Sequence, residues 1–452
     1  KVHPGGRHGK RLHIAPGPCG RGGGVDALAE AVGALCRTDY AQKERLPFSA
    51  KAYRVRRVGG VRYTYVKVTS GVLRARDEVQ TLAGACKVAA ILAPQGGKLL
   101  PMGEAHAGQT AALAGLSAKP GERIGENCGL EMPETVPLMS VQVEPIEPLT
   151  QSALLMHLRE LEEEDPLLSV RPEADGVSVG VMGAVQVEVL QGVLEARFGD
   201  HVRMLPPHVL YKETIAAPVV GIGHYEPLRH YAEVWLKLEP GAPESGITFT
   251  ADCPPNSLDE NWKRLICTHV FEREHPGVLT GSPLTDVQIH LIAGRAHLKH
   301  TEGGDFREAT CRAIRNALMQ AENVLLEPVV RFELAMPSET LARVTGELLR
   351  IGAQLDASET DGGETTLTGV CTAAMFWDYP TKFAASTRGH GRIASRFYRY
   401  EPCKNQAELV QKLGYDALAD VQNPPGSIFC SHGAGFYVAW DHVRDWAHCE
   451  VE

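Results

Sequence analysis

The sequence predicts a multidomain α/β and β protein: a β-barrel, then two ferredoxin-like βαββαβ domains flanking a separate α/β domain. Three observations lead there. The chain has 452 residues, enough for several cores rather than one. Residues 48–130 form a series of short β-rich runs broken by regular turn signals. One order of elements, strand–helix–strand–strand–helix–strand, is written twice, at 137–206 and at 328–402.

Composition narrows the class. Hydrophobic residues make up 44% and charged residues 22%, an ordinary globular mixture. The formal net charge is −9, so any nucleic-acid contact must be a local patch. Eleven cysteines without a single C-x-x-C pair read as free thiols in a reducing compartment, hence a cytoplasmic protein rather than a disulfide framework or zinc ribbon. No run of apolar residues is long enough to span a membrane. The opening "KVHPGGRHGKRLHIAPGPCGRGGG" has no apolar signal core and reads as the middle of a longer protein.

The elements follow in order. In 1–44, Val25, Leu28, Val32 and Leu35 recur at helical spacing, and 37–47 is a polar linker. In 45–132, "SAKAYRVRR", "VRYTYVKVTS" and "DEVQTLAG" are strands separated by Gly59-Gly60, Ser70-Gly71, Gly96-Gly97 and Pro120-Gly121, the pattern of a small barrel. In 133–210, the strand "PLMSVQVEP" precedes a helix carrying Leu154, Leu155, Leu158 and Leu161, stopped by Pro166. Strands "LLSVRP" and "VSVGVM" turn at Asp175-Gly176, and a helix from Ala184 to Phe198 ends at Gly199 before "HVRMLP".

In 211–325, "YAEVWLKLEP" and "ITFTAD" are strands and "SLDENWKRLICTHVFERE" is a helix. In "TDVQIHLIAG", Val287, Ile289 and Leu291 alternate with Gln288 and His290, a half-buried strand. In 326–402, "PVVRFELAM" leads to a helix capped by Ser338, two strands about Asp361-Gly362-Gly363, a partly helical "AAMFWDYPTKFAAS" and the strand "GRIASRFYRYEP". The remaining segment, 403–452, is too patterned to be disordered and is expected to pack on the domain just before it.

The candidate functional stretch is "HLKHTEGGDFREAT", between the 287–296 strand and a helix whose stripe is Phe306, Thr310, Ala313, Ala317 and Ala321. Arg307, Arg312 and Arg315 fall mostly off that stripe. Gly303-Gly304 offers a sharp reversal without a Cβ penalty, and Asp305 suits the N-cap or first turn. The loop therefore projects from one end of its domain. His297-x-x-His300 has metal-like spacing but no third ligand nearby. His300 and Glu302 could serve as acid and base, though a projecting loop excludes water poorly. A polar tip meeting RNA fits the chemistry, with cations on phosphates and imidazoles on bases; an ordinary solvated loop fits as well.

The order of domains resembles domains II to V of elongation factor G. The residues that carry the likeness are "YTYVKVTSGVL" (63–73), "LRELEEEDPLLSVRP" with "VSVGVMGAVQVEV" (158–189), "YKETI" (211–215), "LLEPVVRFEL" and "STRGHGRIASRFYRYEP". The C-terminal "FCSHGAGFYVAW" is similar to the TetM-type branch, which includes tetracycline ribosomal protection proteins. The resemblance implies a ribosome-binding translational GTPase whose α/β domain is of ribosomal-protein-S5-like type. Its partners would be the ribosomal RNA of the decoding region and factor site.

It places the tip at Arg295, His297, Lys299, His300, Thr301, Glu302, Gly303 and Gly304, and makes Arg388, Arg392, Arg396 and Arg399 candidate RNA contacts. Gly17, Pro18 and Cys19 align with the family's last guanine-contacting loop, with Pro18-Cys19-Gly20 where the family has Ser-Ala-Leu. GTP and Mg2+ serve the family, but this sequence holds no G-x-x-x-x-G-K-[ST]. No cofactor, metal or catalytic residue is therefore expected in this chain, and hydrolysis would need a GTP-binding domain outside it. The loop also lacks the bulky residues and prolines of resistance proteins. A GTPase-less regulatory protein at the same site is the other reading.

Overall fold

The computed structural model describes residues 38–130, 136–173, 176–254 and 257–449, with short segments at 2–4, 11–13, 29–30 and 33 ahead of them. Gly17, Pro18, Cys19, the helical positions Val25, Leu28, Val32 and Leu35, and Asp175 lie outside the described residues. The chain divides into two compact units, Lys1–Glu134 with Met156–Leu168, and Thr135–Leu155 with Ser169–Glu452. No helix among the described residues is long and apolar enough to cross a membrane.

The first unit is built on a seven-stranded sheet. Its order is Gly129–Leu130, Glu122–Gly125, Ser49–Val58, Val61–Ser70, Thr110–Ala114, Ala90–Gln95, Lys98–Pro101. The expected barrel does not close among the described residues. Val72–Arg74 pairs with Glu104–His106 and Glu78–Thr81 with Gly84–Lys87, each as a separate ladder. These strands are three or four residues long and pair only with each other. The side chains a barrel would enclose still gather: Val66, Val68, Leu73, Leu113 and Ile124 share one core. The expected linker is also corrected. Tyr40–Lys43 is a helical turn fastened to the sheet, with the Gly71 N–H donating to the Lys43 carbonyl at 2.9 Å.

Among its described residues the second unit contains three sheets. The first runs Arg171–Glu173, Gly176–Val181, Met139–Pro145, Val202–Met204, all antiparallel. In chain order this is second, third, first, fourth, the order a βαββαβ unit gives. Gly199 ends the helix Ala184–Phe198 in a left-handed conformation, as its position predicts.

The same order returns in Gln354–Asp361, Glu364–Thr372, Asn323–Pro337, Arg392–Pro402. Lys212–Ile215 extends this sheet beside the start of the long strand. Ser338 does not cap the following helix. It opens a 3-10 turn, and its Oγ lies 2.9 Å from Thr365 Oγ1.

The third sheet has six strands in the order Ile247–Ala251, Val287–Ala296, Ala232–Pro240, Val219–Tyr225, Ser427–Ser431, Ala434–Val438. Its last two strands come from the C-terminal segment. That segment was expected on the domain before it; instead it returns past that domain and extends the sheet of the tip-bearing body. Parallel pairing at Tyr225↔Ile428 makes the join. Ser427 Oγ accepts from the His224 N–H at 3.0 Å, and Glu226 N–H donates to the Ile428 carbonyl at 2.8 Å.

Two layers cover this sheet. On one face lie the helices Glu260–Phe271 and Gly303–Gln320, with Phe306, Ala309, Ala313 and Ala317 packed on Val234, Leu236, Leu238, Ile289 and Leu291. The alternation of 287–291 and the predicted stripe of the helix meet there. Gly221 and Gly223 let the helix approach closely. A Cβ on Gly223 would lie 1.8 Å from the Ala309 carbonyl oxygen, and one on Gly221 2.1 Å from that of Ala313. On the other face Ile222, Trp235, Phe429, Val438 and Val443 form a second core supplied largely by the C-terminal segment.

Candidate functional site

The 287–296 strand ends at Ala296 and the helix begins at Gly303, so the candidate loop is six residues long. It is a closed turn: the His300 and Thr301 N–H groups both donate to the His297 carbonyl, at 3.2 and 3.1 Å. Thr301 Oγ1 donates to the Tyr231 carbonyl at 2.6 Å and accepts from the His297 N–H at 2.7 Å. Thr301 is thus a pin holding the turn to its neighbour. The expected glycine reversal is corrected. Gly303 and Gly304 are the first two helical residues, neither with a left-handed φ. Asp305 takes the first-turn role, accepting from the Glu302 N–H at 2.8 Å and from His230 Nδ1 at 2.8 Å.

Arg295, His297, Leu298, Lys299, His300 and Glu302 are exposed. The imidazoles of His297 and His300 stack with centroids 4.6 Å apart and planes 21° apart. An open cleft of about 470 Å³ lies beside them, lined by Tyr231, Arg295, His297, Lys299 and His448 among others. Flat rings and two cations at one surface can stack on bases and meet phosphates. With His300 and Glu302 in open solvent, nothing shields a proton-transfer step.

The sequence reading missed what lies under this surface. Glu233 and His224 are fully buried. Glu233 Oε2 accepts from His224 Nδ1 at 2.8 Å and from the His448 N–H at 2.9 Å. Its Oε1 accepts from Trp235 Nε1 at 2.8 Å and the Cys449 N–H at 2.7 Å. Burial pushes its pKa up, but these bonds outweigh it and bring the group down to about 2. His224 stacks on Phe429 with centroids 4.0 Å apart.

His448 Nδ1 lies 3.0 Å from the Tyr231 hydroxyl, and Arg295 donates to the His448 carbonyl at 3.3 Å. Burial, then the nearby His224, lower the His448 pKa. The buried carboxylate thereby ties the end of the C-terminal segment to the tip. His224, Glu233 and His448 are the candidate metal-holding group among the described residues, with ligand atoms within 4.8 Å of one another. Hydrogen bonds already occupy both Glu233 oxygens, so the cluster acts as a clasp.

The four candidate RNA-contacting arginines, Arg388, Arg392, Arg396 and Arg399, separate into two kinds. Arg392 pairs with Glu364 at 2.6 Å and Arg399 with Glu401 at 2.5 Å. Arg388 and Arg396 are exposed with no ion-pair partner among the described residues. Only these two retain a cation without a carboxylate beside it.

Residues 207–322 match the family model of elongation factor G, domain IV. Residues 324–409 match the model of the elongation factor G C-terminus. The chain carries elongation factor G-like domains. The tip loop therefore lies in its domain IV-like body, and the C-terminal hairpin that completes that body's sheet lies beyond both matches. A crystal structure of a protein from Thermus thermophilus is also similar in fold, at 24% identity and a TM-score of 0.52. The match covers 86% of this chain and 61% of that one, so this chain spans about three fifths of its length.

Proposed function

We propose that this chain is the ribosome-binding part of an elongation factor G-like translational GTPase. It would act at the ribosomal factor site with the 295–304 loop against RNA of the decoding region. One observation carries the reading: the domain IV-like body ends in an exposed loop bearing Arg295, Lys299 and the stacked His297 and His300. GTP and Mg2+ would belong to a nucleotide-binding domain outside these residues, since the sequence has no phosphate-cradling G-x-x-x-x-G-K-[ST]. Arg388 and Arg396 are the secondary RNA contacts this reading favours.

The test is co-sedimentation with ribosomes of the chain and of Lys299→Ala/His300→Ala. Because both side chains are exposed, the double variant should keep its circular dichroism spectrum yet bind about tenfold more weakly. Equal sedimentation of the two proteins would remove the tip from the interface. The missing cradle also favours a second reading, a regulatory protein that occupies the factor site without turnover; an in-frame Walker motif in the DNA upstream of Lys1 would exclude it. Tetracycline protection is the finer question. It is tested by translation under drug with the complete gene product, with and without GTP.

A further inference from the structure

Two side chains beside the tip have no part in the contacts described so far: a leucine in open solvent and the ring of a histidine from the far end of the chain. Leu298 is the most exposed large apolar side chain among the described residues. A single exposed leucine needs no explanation by itself; this one shares a cleft with rings and cations. His448 belongs to the C-terminal segment, beyond both stretches that match the elongation factor G models, and it is exposed as well.

Both line the open cleft of about 470 Å³, together with Tyr231, Arg295, His297 and Lys299. Clefts for small ligands run from about 300 to 1,000 Å³, so there is room for one nucleotide. The rings lie close together. Tyr231 and His448 have centroids 5.8 Å apart and planes 11° apart, and the His297 centroid is 6.3 Å from that of Tyr231. The cations are largely unspent. The Lys299 ammonium has no partner among the described residues, and Arg295 donates there only from Nη1, to the His448 carbonyl at 3.3 Å. Both residues are exposed, so their remaining donors are accessible. Among the described residues no carboxylate lines the cleft, in a chain whose formal net charge is −9.

We infer that this cleft takes one unpaired RNA nucleotide, its base stacked on His448 and Tyr231 with Leu298 against it, and its phosphate met by Arg295 and Lys299. A base inside a duplex has both faces covered by its neighbours, whereas an extruded one offers a free face and edge. Every base has such a face, so stacking here gives affinity with little sequence preference. The inference rests on the ribosomal reading and narrows it: the tip holds an exposed nucleotide rather than a helical backbone, and the end of the chain contacts RNA directly.

Fluorescence anisotropy with a labelled single-stranded oligoadenylate, beside a fully paired RNA hairpin at the same salt, tests it. The single strand should bind about tenfold more tightly than the hairpin. Leu298→Ala and His448→Ala should each weaken single-strand binding about tenfold, whereas His448→Phe, which keeps a ring, should stay within about twofold of the wild type. Slow amide exchange at Cys449 checks that the segment is still seated in each variant. Equal binding of the two RNAs, or an affinity unchanged in Leu298→Ala and His448→Ala, would overturn the inference. Ribosome co-sedimentation of the wild-type chain separates the two failures. A chain that sediments with ribosomes but does not prefer the single strand loses only the cleft, and one that does not sediment loses both readings.

Discussion

Replacing Glu233 by Gln changes one atom of a fully buried side chain and should loosen the end of the chain. Its two oxygens are acceptors only, for His224, Trp235 and the N–H groups of His448 and Cys449. A glutamine amide sets a donor against donors on one side and removes the charge that strengthens the rest. The group falls from its ordinary 4.5 to about 2 on folding. At about 1.4 kcal/mol per pH unit, that corresponds to about 3 kcal/mol of stability at neutral pH.

The sign follows from a depressed carboxylate. The contribution is fully present above pH 4.5 and is lost as pH falls toward 2. Urea denaturation followed by tryptophan emission suits the problem, since Trp235 and Trp446 lie in or beside the second core. The wild type should exceed Glu233→Gln by about 3 kcal/mol at pH 7, and the gap should narrow steadily below pH 4.5. Hydrogen exchange at the amides of His448 and Cys449 should accelerate in the variant. A difference under about 1 kcal/mol that does not vary with pH would refute the clasp.

Other expectations follow from the same packing. Gly223→Ala places a methyl group 1.8 Å from the Ala309 carbonyl oxygen, so it should cost about 3 kcal/mol or more, read as a lower thermal midpoint. Glu213 is buried and accepts from the Leu279, Thr280 and Ser282 N–H groups at 2.9, 2.8 and 3.2 Å, so Glu213→Ala should free the 277–282 loop to rapid hydrogen exchange and cost about 3 kcal/mol. Deleting 427–449 should uncover Ile222 and Trp235 and raise binding of a hydrophobic dye, while the strands at 354–402 keep their exchange protection.

What the sequence disclosed depended on range. The alternation of Val287, Ile289 and Leu291 and the stripe from Phe306 to Ala317 were legible because each is a local period set by one buried face. The strand Val219–Tyr225 was missed, although Gly221 and Gly223 alternate with Val220, Ile222 and His224; glycines in a strand read as breakers until the helix above them is seen. Arg312 and Arg315 fall mostly off the apolar stripe of their helix, and their burial comes from the 276–277 loop and the returning C-terminal segment, which no local period announces. The exposed tip residues were legible as polar and loop-bound. Their support by Glu233 and His448 was not, because those two residues stand more than two hundred positions apart.

The parallel join between 219–225 and 427–431 bears on how the molecule is made. A polypeptide emerging from synthesis presents its earlier parts first. The sheet that begins at residue 219 must wait for about two hundred further residues before its last strands exist, while the 323–402 sheet has nearly all its strands beforehand. Until then the surface of Ile222 and Trp235 has no native cover. The middle of this chain is therefore the part that matures last, and a nascent chain stalled before residue 427 would offer that apolar surface to chaperones.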